Sequence, residues 1–108
     1  LKVPTHEFNK NVEFYRDVLG FKCIEDASAE GGSVVFQFGD KHLWIDCVDA
    51  LSQAEVWLQV ETSDAEAARE SLKAAGCSFL EGVEELPEGF RGFWVASPSN
   101  IVHLIDEV

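Results

Sequence analysis

Apolar residues along the chain recur at two different spacings, and each spacing predicts a different kind of element. Phe8, Val12, Tyr15 and Leu19 follow one another at intervals of four, three and four positions, which is the spacing of one face of a helix. Residues 42–48 instead alternate between polar or aromatic and aliphatic positions, as expected for a strand whose two faces meet different surroundings. The chain is therefore predicted to combine helices with strands.

The helical pattern occurs twice. Residues 11–21 predict a helix, a glycine stop at Gly20 and the start of a strand, and residues 65–77 repeat that order with the stop at Gly76. The two glycines lie 56 positions apart, about half of the 108 residues. A repeat of this size indicates two copies of one supersecondary unit.

The two halves are predicted to contain the same elements in the same order. The first half has a strand at 1–4, a turn at 5–11, a helix ending at Gly20 and strands at 21–25, 33–38 and 42–48. The second half has strands at 55–61, 77–80, 90–96 and 101–105, with a helix that starts at a Ser63–Glu66 capping box. We therefore predict an α+β fold in which one domain, residues 1–108, contains two βαβββ modules, residues 1–49 and 55–108.

A single helix covers only one face of a four-stranded sheet, so each module is predicted to leave its other face to water, a ligand or another sheet. Alternation places polar and aromatic side chains on that face. In the first half they are His42, Trp44 and Asp46, and in the second half they are Glu55, Trp57 and Gln59.

Composition narrows the classes of partner. Asp and Glu number 20 against 8 Lys and Arg, giving a net charge of -12 that repels phosphate backbones and anionic lipid. We therefore expect no nucleic-acid or membrane partner. The three cysteines, Cys23, Cys47 and Cys77, form no CxxC pair and are expected to be small buried hydrophobes. Reduced cysteines and the lack of a signal-peptide pattern favour a cytoplasmic location.

Two stretches resemble a known family. The run from Val12 to Phe21, VEFYRDVLGF, and the run from Gly92 to Leu104, GFWVASPSNIVHL, are similar to the first helix and the last hairpin of the vicinal oxygen chelate superfamily. That superfamily includes glyoxalase I, bleomycin-resistance proteins and extradiol dioxygenases. The resemblance implies two modules whose sheets curl into a cup with the helices outside, and a homodimer, because single-chain members commonly dimerise.

The resemblance also implies positions for a divalent metal such as Fe, Mn, Ni or Zn, on the first and fourth strands of each half. The first position falls before Leu1, and the second falls at Trp44, which cannot bind a metal. The remaining two fall at Glu55 and His103, which are the metal candidates. Two ligands are fewer than the three that catalytic sites usually supply, although His42 or Asp46 could add one.

The final hairpin departs from the family pattern. Serines at 97 and 99 stand where acidic residues are usual, and a glycine before Asn100 is missing.

Two classes of function follow. The first is a protein that binds a small organic ligand in the cup without a canonical metal, because ligand pockets combine aromatic walls with a few polar groups. Its candidate ligand-binding residues are Trp44, Trp57, Glu55, His103, Gln59 and Arg91. The alternative is a metal-dependent lyase, isomerase or dioxygenase acting on a vicinal-oxygen substrate, with Glu55 as metal ligand or catalytic base. A third possibility is a degenerate module used only for association or regulation.

Overall fold

The computed structural model describes residues 1–108, and the chain divides into two compact units, Leu1–Glu55 and Val56–Val108. Each unit contains one mixed four-stranded sheet and one α-helix in the order βαβββ, so the α+β prediction of two such modules is confirmed. Glu55, predicted to open the second module, belongs to the first unit. Its backbone N–H and C=O each form a 2.9 Å hydrogen bond with Lys2.

The first unit is built from four strands and one helix that ends in a wider turn. Its elements are β1 (Lys2–Val3), α1 (Thr5–Glu13), a π-helical segment (Phe14–Val18), β2 (Cys23–Asp26), a 3₁₀ turn (Ser28–Glu30), β3 (Val34–Phe38) and β4 (Lys41–Cys47). The sheet order is β1-β4-β3-β2, with β1 parallel to β4 and the other pairs antiparallel.

Helix α1 begins earlier than the sequence pattern indicated. Pro4 precedes the helix in an extended conformation, with φ −66° and ψ 157°, and the chain turns helical at Thr5. The predicted turn at residues 5–11 is therefore wrong. Apart from Phe8, those residues are polar because they lie towards the solvent side of a helix that buries Phe8 and Val12.

The π-helical segment changes which side chains reach the core. Leu19 donates its N–H to the carbonyl of Phe14, five residues earlier, so this turn is wider than an α-helical turn. Tyr15 still contacts the rings of Phe21 and Phe36, but Leu19 is 47% exposed. The wider turn rotates Leu19 away from the face that the spacing predicted.

The core of the first unit lies between α1 and the sheet and consists of Val3, Phe8, Val12, Val34, Phe36 and Ile45. Leu43 packs against this core from the same face of β4 as Ile45. Trp44 lies between them in sequence and projects from the opposite face, so the predicted alternation of β4 is confirmed.

The second unit repeats the architecture. Its elements are β5 (Leu58–Thr62), α2 (Ala65–Ala74), β6 (Ser78–Phe79), β7 (Gly92–Ala96) and β8 (Val102–Glu107), in the sheet order β5-β8-β7-β6 with β5 parallel to β8. Phe93, Val95 and Ile105 form its buried core, against which Ala68 and Leu72 of α2 pack.

The cap of α2 is displaced by one residue from its predicted position. Asp64, rather than Ser63, precedes the helix, and its carboxylate accepts the N–H of Ala67 at 2.9 Å. A carboxylate stabilises both the free N–H groups and the positive end of the helix dipole.

The cysteines are less buried than expected. Cys23 and Cys47 are exposed, Cys77 is half-buried, and all three are free thiols. The predicted burial is therefore wrong for Cys23 and Cys47. Neither helix is long and apolar enough to cross a membrane.

Candidate functional site

In each unit one side of the sheet packs against that unit's own helix, and we call the opposite side the helix-free face. On the first unit, strand register places Trp44 beside Val35 and His42 beside Gln37 on this face. Trp44 is 48% exposed, although Val35 beside it is only 2% exposed. The indole thus presents a large apolar surface to solvent, while the neighbouring side chain of β3 is buried.

An ion pair lies on the same face. Lys2, which is only 9% exposed, places its Nζ 2.7 Å from Oδ2 of Asp46, its partner in register on β4. The hydroxyl of Ser33 donates to the other oxygen of that carboxylate. Because Asp46 is held by a cation and a hydroxyl, its carboxylate serves the sheet and is not presented as a metal ligand.

The helix-free face of the second unit carries two tryptophans in contact. The rings of Trp57 and Trp94 meet edge to face, with centroids 5.3 Å apart and planes at 75°. Trp94 is 9% exposed, and its indole N–H donates to the carbonyl of Glu84 at 2.9 Å. Sequence reasoning left the face of Trp94 unassigned, although its position between core residues Phe93 and Val95 was the signal that places it here.

Polar groups lie beside the two indoles. The side-chain amide of Gln59 donates to Oδ2 of Asp106 at 2.7 Å, and strand register places Gln59 next to Leu104. This face therefore offers the half-buried indole of Trp57, packed against Trp94, and an amide–carboxylate pair, which suits a planar ligand with one or two polar groups.

His103 lies on the other side of that sheet. Its partner in register on β7 is Val95, a core residue that packs under α2, and its Nδ1 lies 2.9 Å from the carbonyl of Ile101. His103 and Gln59, which the sequence placed together, thus lie on opposite faces.

The two remaining candidate residues are placed as follows. Glu55 is exposed and bridges Lys2 through its backbone. Arg91 forms two hydrogen bonds with the carboxylate of Glu107. Its Nε donates to Oε1, and its Nη2 donates to Oε2 at 3.3 Å. Glu107 also accepts the N–H of Ala65 at 2.8 Å. This backbone bond, followed by the bond from Arg91, lowers the pKa of Glu107, so Arg91 already holds a carboxylate of the chain.

The side chains present do not form a metal centre. Among residues 1–108, no three His, Cys, Asp or Glu side chains come together as ligands of one ion. Trp44 stands at a position where the resemblance expected a ligand, and His103 lies on the helix side of its sheet. Three protein ligands are the usual minimum for a catalytic metal site.

Comparison with known proteins identifies the class. The family model of the Glyoxalase/Bleomycin resistance protein/Dioxygenase superfamily matches residues 1–102, and the chain belongs to that superfamily. The resemblance noted in the two sequence runs is thereby confirmed. No curated protein matches the chain.

Solved structures of low sequence identity share the fold. A superfamily member from Vibrio splendidus 12B01 is 14% identical with a TM-score of 0.69, over 99% of this chain and 95% of that chain. A hypothetical protein from Bacillus halodurans C-125 is 12% identical with a TM-score of 0.66, over 99% and 90%. The Mn(II)-bound glyoxalase from Novosphingobium aromaticivorans is 22% identical with a TM-score of 0.64, over 98% of this chain and 36% of that chain.

Proposed function

We propose that this superfamily member binds a small, planar organic molecule on its helix-free faces and does so without a canonical metal centre. The observation that carries the proposal is Trp44. It occupies a position where the family resemblance implies a metal ligand, it cannot bind a metal, and nearly half of its surface is exposed.

The chemistry of the two faces supports a planar and cationic ligand. An indole face attracts a cation through its quadrupole. In the second unit the half-buried indole of Trp57 adds a further aromatic surface on the face that carries the carboxylate of Asp106. The net charge of -12 raises the local concentration of cations around the molecule.

The chain offers a matched control for Trp44. Phe38 in the same sheet is 50% exposed, but it contacts Phe21 and lies on the helix side, two positions along β3 from core residue Phe36. We expect proflavine, a planar cation, to bind saturably in 150 mM salt. Trp44→Ala should weaken binding about 5- to 150-fold, corresponding to about 1–3 kcal/mol for a stacked aromatic contact, while Phe38→Ala leaves it unchanged. Unchanged affinity in both variants would show that the dye binds by charge alone, because neither substitution alters the charge of the chain.

The metal-dependent alternative has one supporting observation. A superfamily structure that shares the fold is described as Mn(II)-bound. In this chain its ligands would be Glu55 and His103, and His103 would have to leave the helix side of its sheet or exchange its contact with the Ile101 carbonyl. Mn²⁺ retained at one equivalent and lost on His103→Ala would favour this alternative.

We also propose that the protein forms a homodimer. Strand β5 and the residues before it expose three aliphatic side chains, with Val56 57%, Leu58 46% and Val60 47% exposed. Aliphatic side chains grouped in this way are typical of association surfaces. Light scattering of the eluted protein should give twice 12.0 kDa, and Val60→Glu should shift it to the monomer mass.

A further inference from the structure

The second unit contains an arginine whose guanidinium lies over two aromatic rings. Arg69 lies in the middle of α2, is half-buried, and places its guanidinium carbon 4.5 Å from the ring centre of Phe93 and 5.6 Å from that of Phe79. It belongs to none of the five ion pairs described between side chains. The chain has 20 Asp and Glu against 8 Lys and Arg, so a half-buried guanidinium that is not paired with a carboxylate is unusual.

A cavity of about 270 Å³ opens beside this guanidinium. Its apolar walls are Phe79, Leu80, Leu86, Phe93 and Trp94. The cavity exists because β6 has only two residues, so the chain leaves the edge of β7 after a last backbone bond from Leu80 N–H to Trp94 O of 3.0 Å. The bond from the Trp94 indole to the Glu84 carbonyl holds the returning loop in place as the outer wall.

We infer that this cavity binds a compact organic acid, with the carboxylate on Arg69 and the apolar body against the aromatic and leucine walls. A guanidinium presents a planar fork of N–H donors that matches a carboxylate in two parallel hydrogen bonds. The cavity volume of about 270 Å³ lies just below the usual range for ligand pockets, about 300–1,000 Å³, which suits a single ring bearing one acid group.

The carboxylates of the loop after β6 do not prevent the cavity from binding an anionic ligand. Glu81, Glu84 and Glu85 also line the cavity, but all three residues are exposed, so water and salt screen their charge. Arg69 is the half-buried charge, and a less solvated charge acts more strongly on a ligand in the cavity. The cavity lies at the outer edge of β7. It shares Trp94 with the helix-free face of the second unit, but its charged group, Arg69, lies on the helix side over Phe93.

The test is a titration of the full ¹⁵N-labelled chain with sodium benzoate at constant ionic strength, followed by NMR. Saturable shifts are expected at the Arg69 Nε–H and the Trp94 indole N–H, and not at the indole of Trp44 in the first unit. Arg69→Gln should weaken benzoate binding about tenfold or more, which is the loss of a charge-assisted hydrogen bond. Arg69→Lys keeps the positive charge but lacks the paired N–H donors of the guanidinium, so it should lose less benzoate affinity than Arg69→Gln.

Arg16→Gln is the matched control, because Arg16 lies in the first unit, is 46% exposed and already pairs with Asp17. It should leave benzoate affinity unchanged. The inference is overturned if millimolar benzoate gives no saturable shift at Arg69, or if Arg69→Gln and Arg69→Lys bind it as the parent does. Benzylammonium binding at the same groups with equal or higher affinity would overturn it as well. If Arg69→Gln does not fold, Arg69→Lys alone decides.

Discussion

The contact between Trp57 and Trp94 can be tested quantitatively, because a double-mutant cycle isolates the interaction energy of the two rings from their other contacts. Their rings meet edge to face at 5.3 Å, a geometry that contributes about 0.5–1.5 kcal/mol beyond burial. Trp94 also donates to the Glu84 carbonyl, a hydrogen bond of about 0.5–1.5 kcal/mol. Trp94→Leu should therefore lose both contributions, and only the ring contact should appear as coupling between Trp94 and Trp57.

A double-mutant cycle in urea, followed by far-UV circular dichroism, measures that coupling. The single variants and the Trp57→Leu/Trp94→Leu double variant should give a coupling of about 0.5–1.5 kcal/mol. A parallel cycle of Trp57 with Phe93, which neighbours Trp94 but belongs to the core under α2, should give less than about 0.5 kcal/mol. Equal coupling in the two cycles would refute the assignment of both indoles to one helix-free face.

Three further predictions concern the scaffold. Ile45→Ala, at a core position with no exposed surface, should lower the free energy of unfolding by about 2–5 kcal/mol in a denaturant titration. Asp64→Ala should cost about 0.5–2 kcal/mol and Ser63→Ala close to nothing, whereas the reverse order would restore the capping box predicted from sequence. Glu107 has a folded-state pKa below its ordinary value, so the stability it contributes is present above that ordinary value and is lost as pH falls through the lowered pKa. Glu107→Gln should flatten this acid limb of the stability profile, and an unchanged limb would contradict the role of its bonds to the helix and Arg91.

The sequence pattern was sufficient for the fold because the fold depends on periodicity. The alternation of β4 placed Ile45 in the core and Trp44 on the opposite face, as the structure shows. The spacing argument failed at Leu19, where a π-helical turn breaks the 3.6-residue period that the argument assumes. It failed again at residues 5–11, because a helix with a narrow apolar stripe has the composition of a turn.

The site was harder to predict. A ligand position of the family can be assigned to a residue of this chain only if that residue lies on the same face of the sheet. His103 aligns by motif with a ligand position, but it lies on the helix side, beside Val95 in register. The partners of Arg91 and Asp46, which are Glu107 and Lys2, were equally out of reach, since each pair joins residues far apart in sequence. Trp94 could have been assigned from its alternation with the neighbouring core residues.

Metal dependence of ligand binding tests the central claim most directly. The purified protein is analysed for Fe, Mn, Ni and Zn, treated with a chelator, and titrated with proflavine before and after treatment and after addition of Mn²⁺. We predict substoichiometric metal, the same saturable affinity in all three states, and an affinity that depends on Trp44. One equivalent of metal that is lost on His103→Ala, together with dye binding that disappears on chelation and returns with Mn²⁺, would contradict the account.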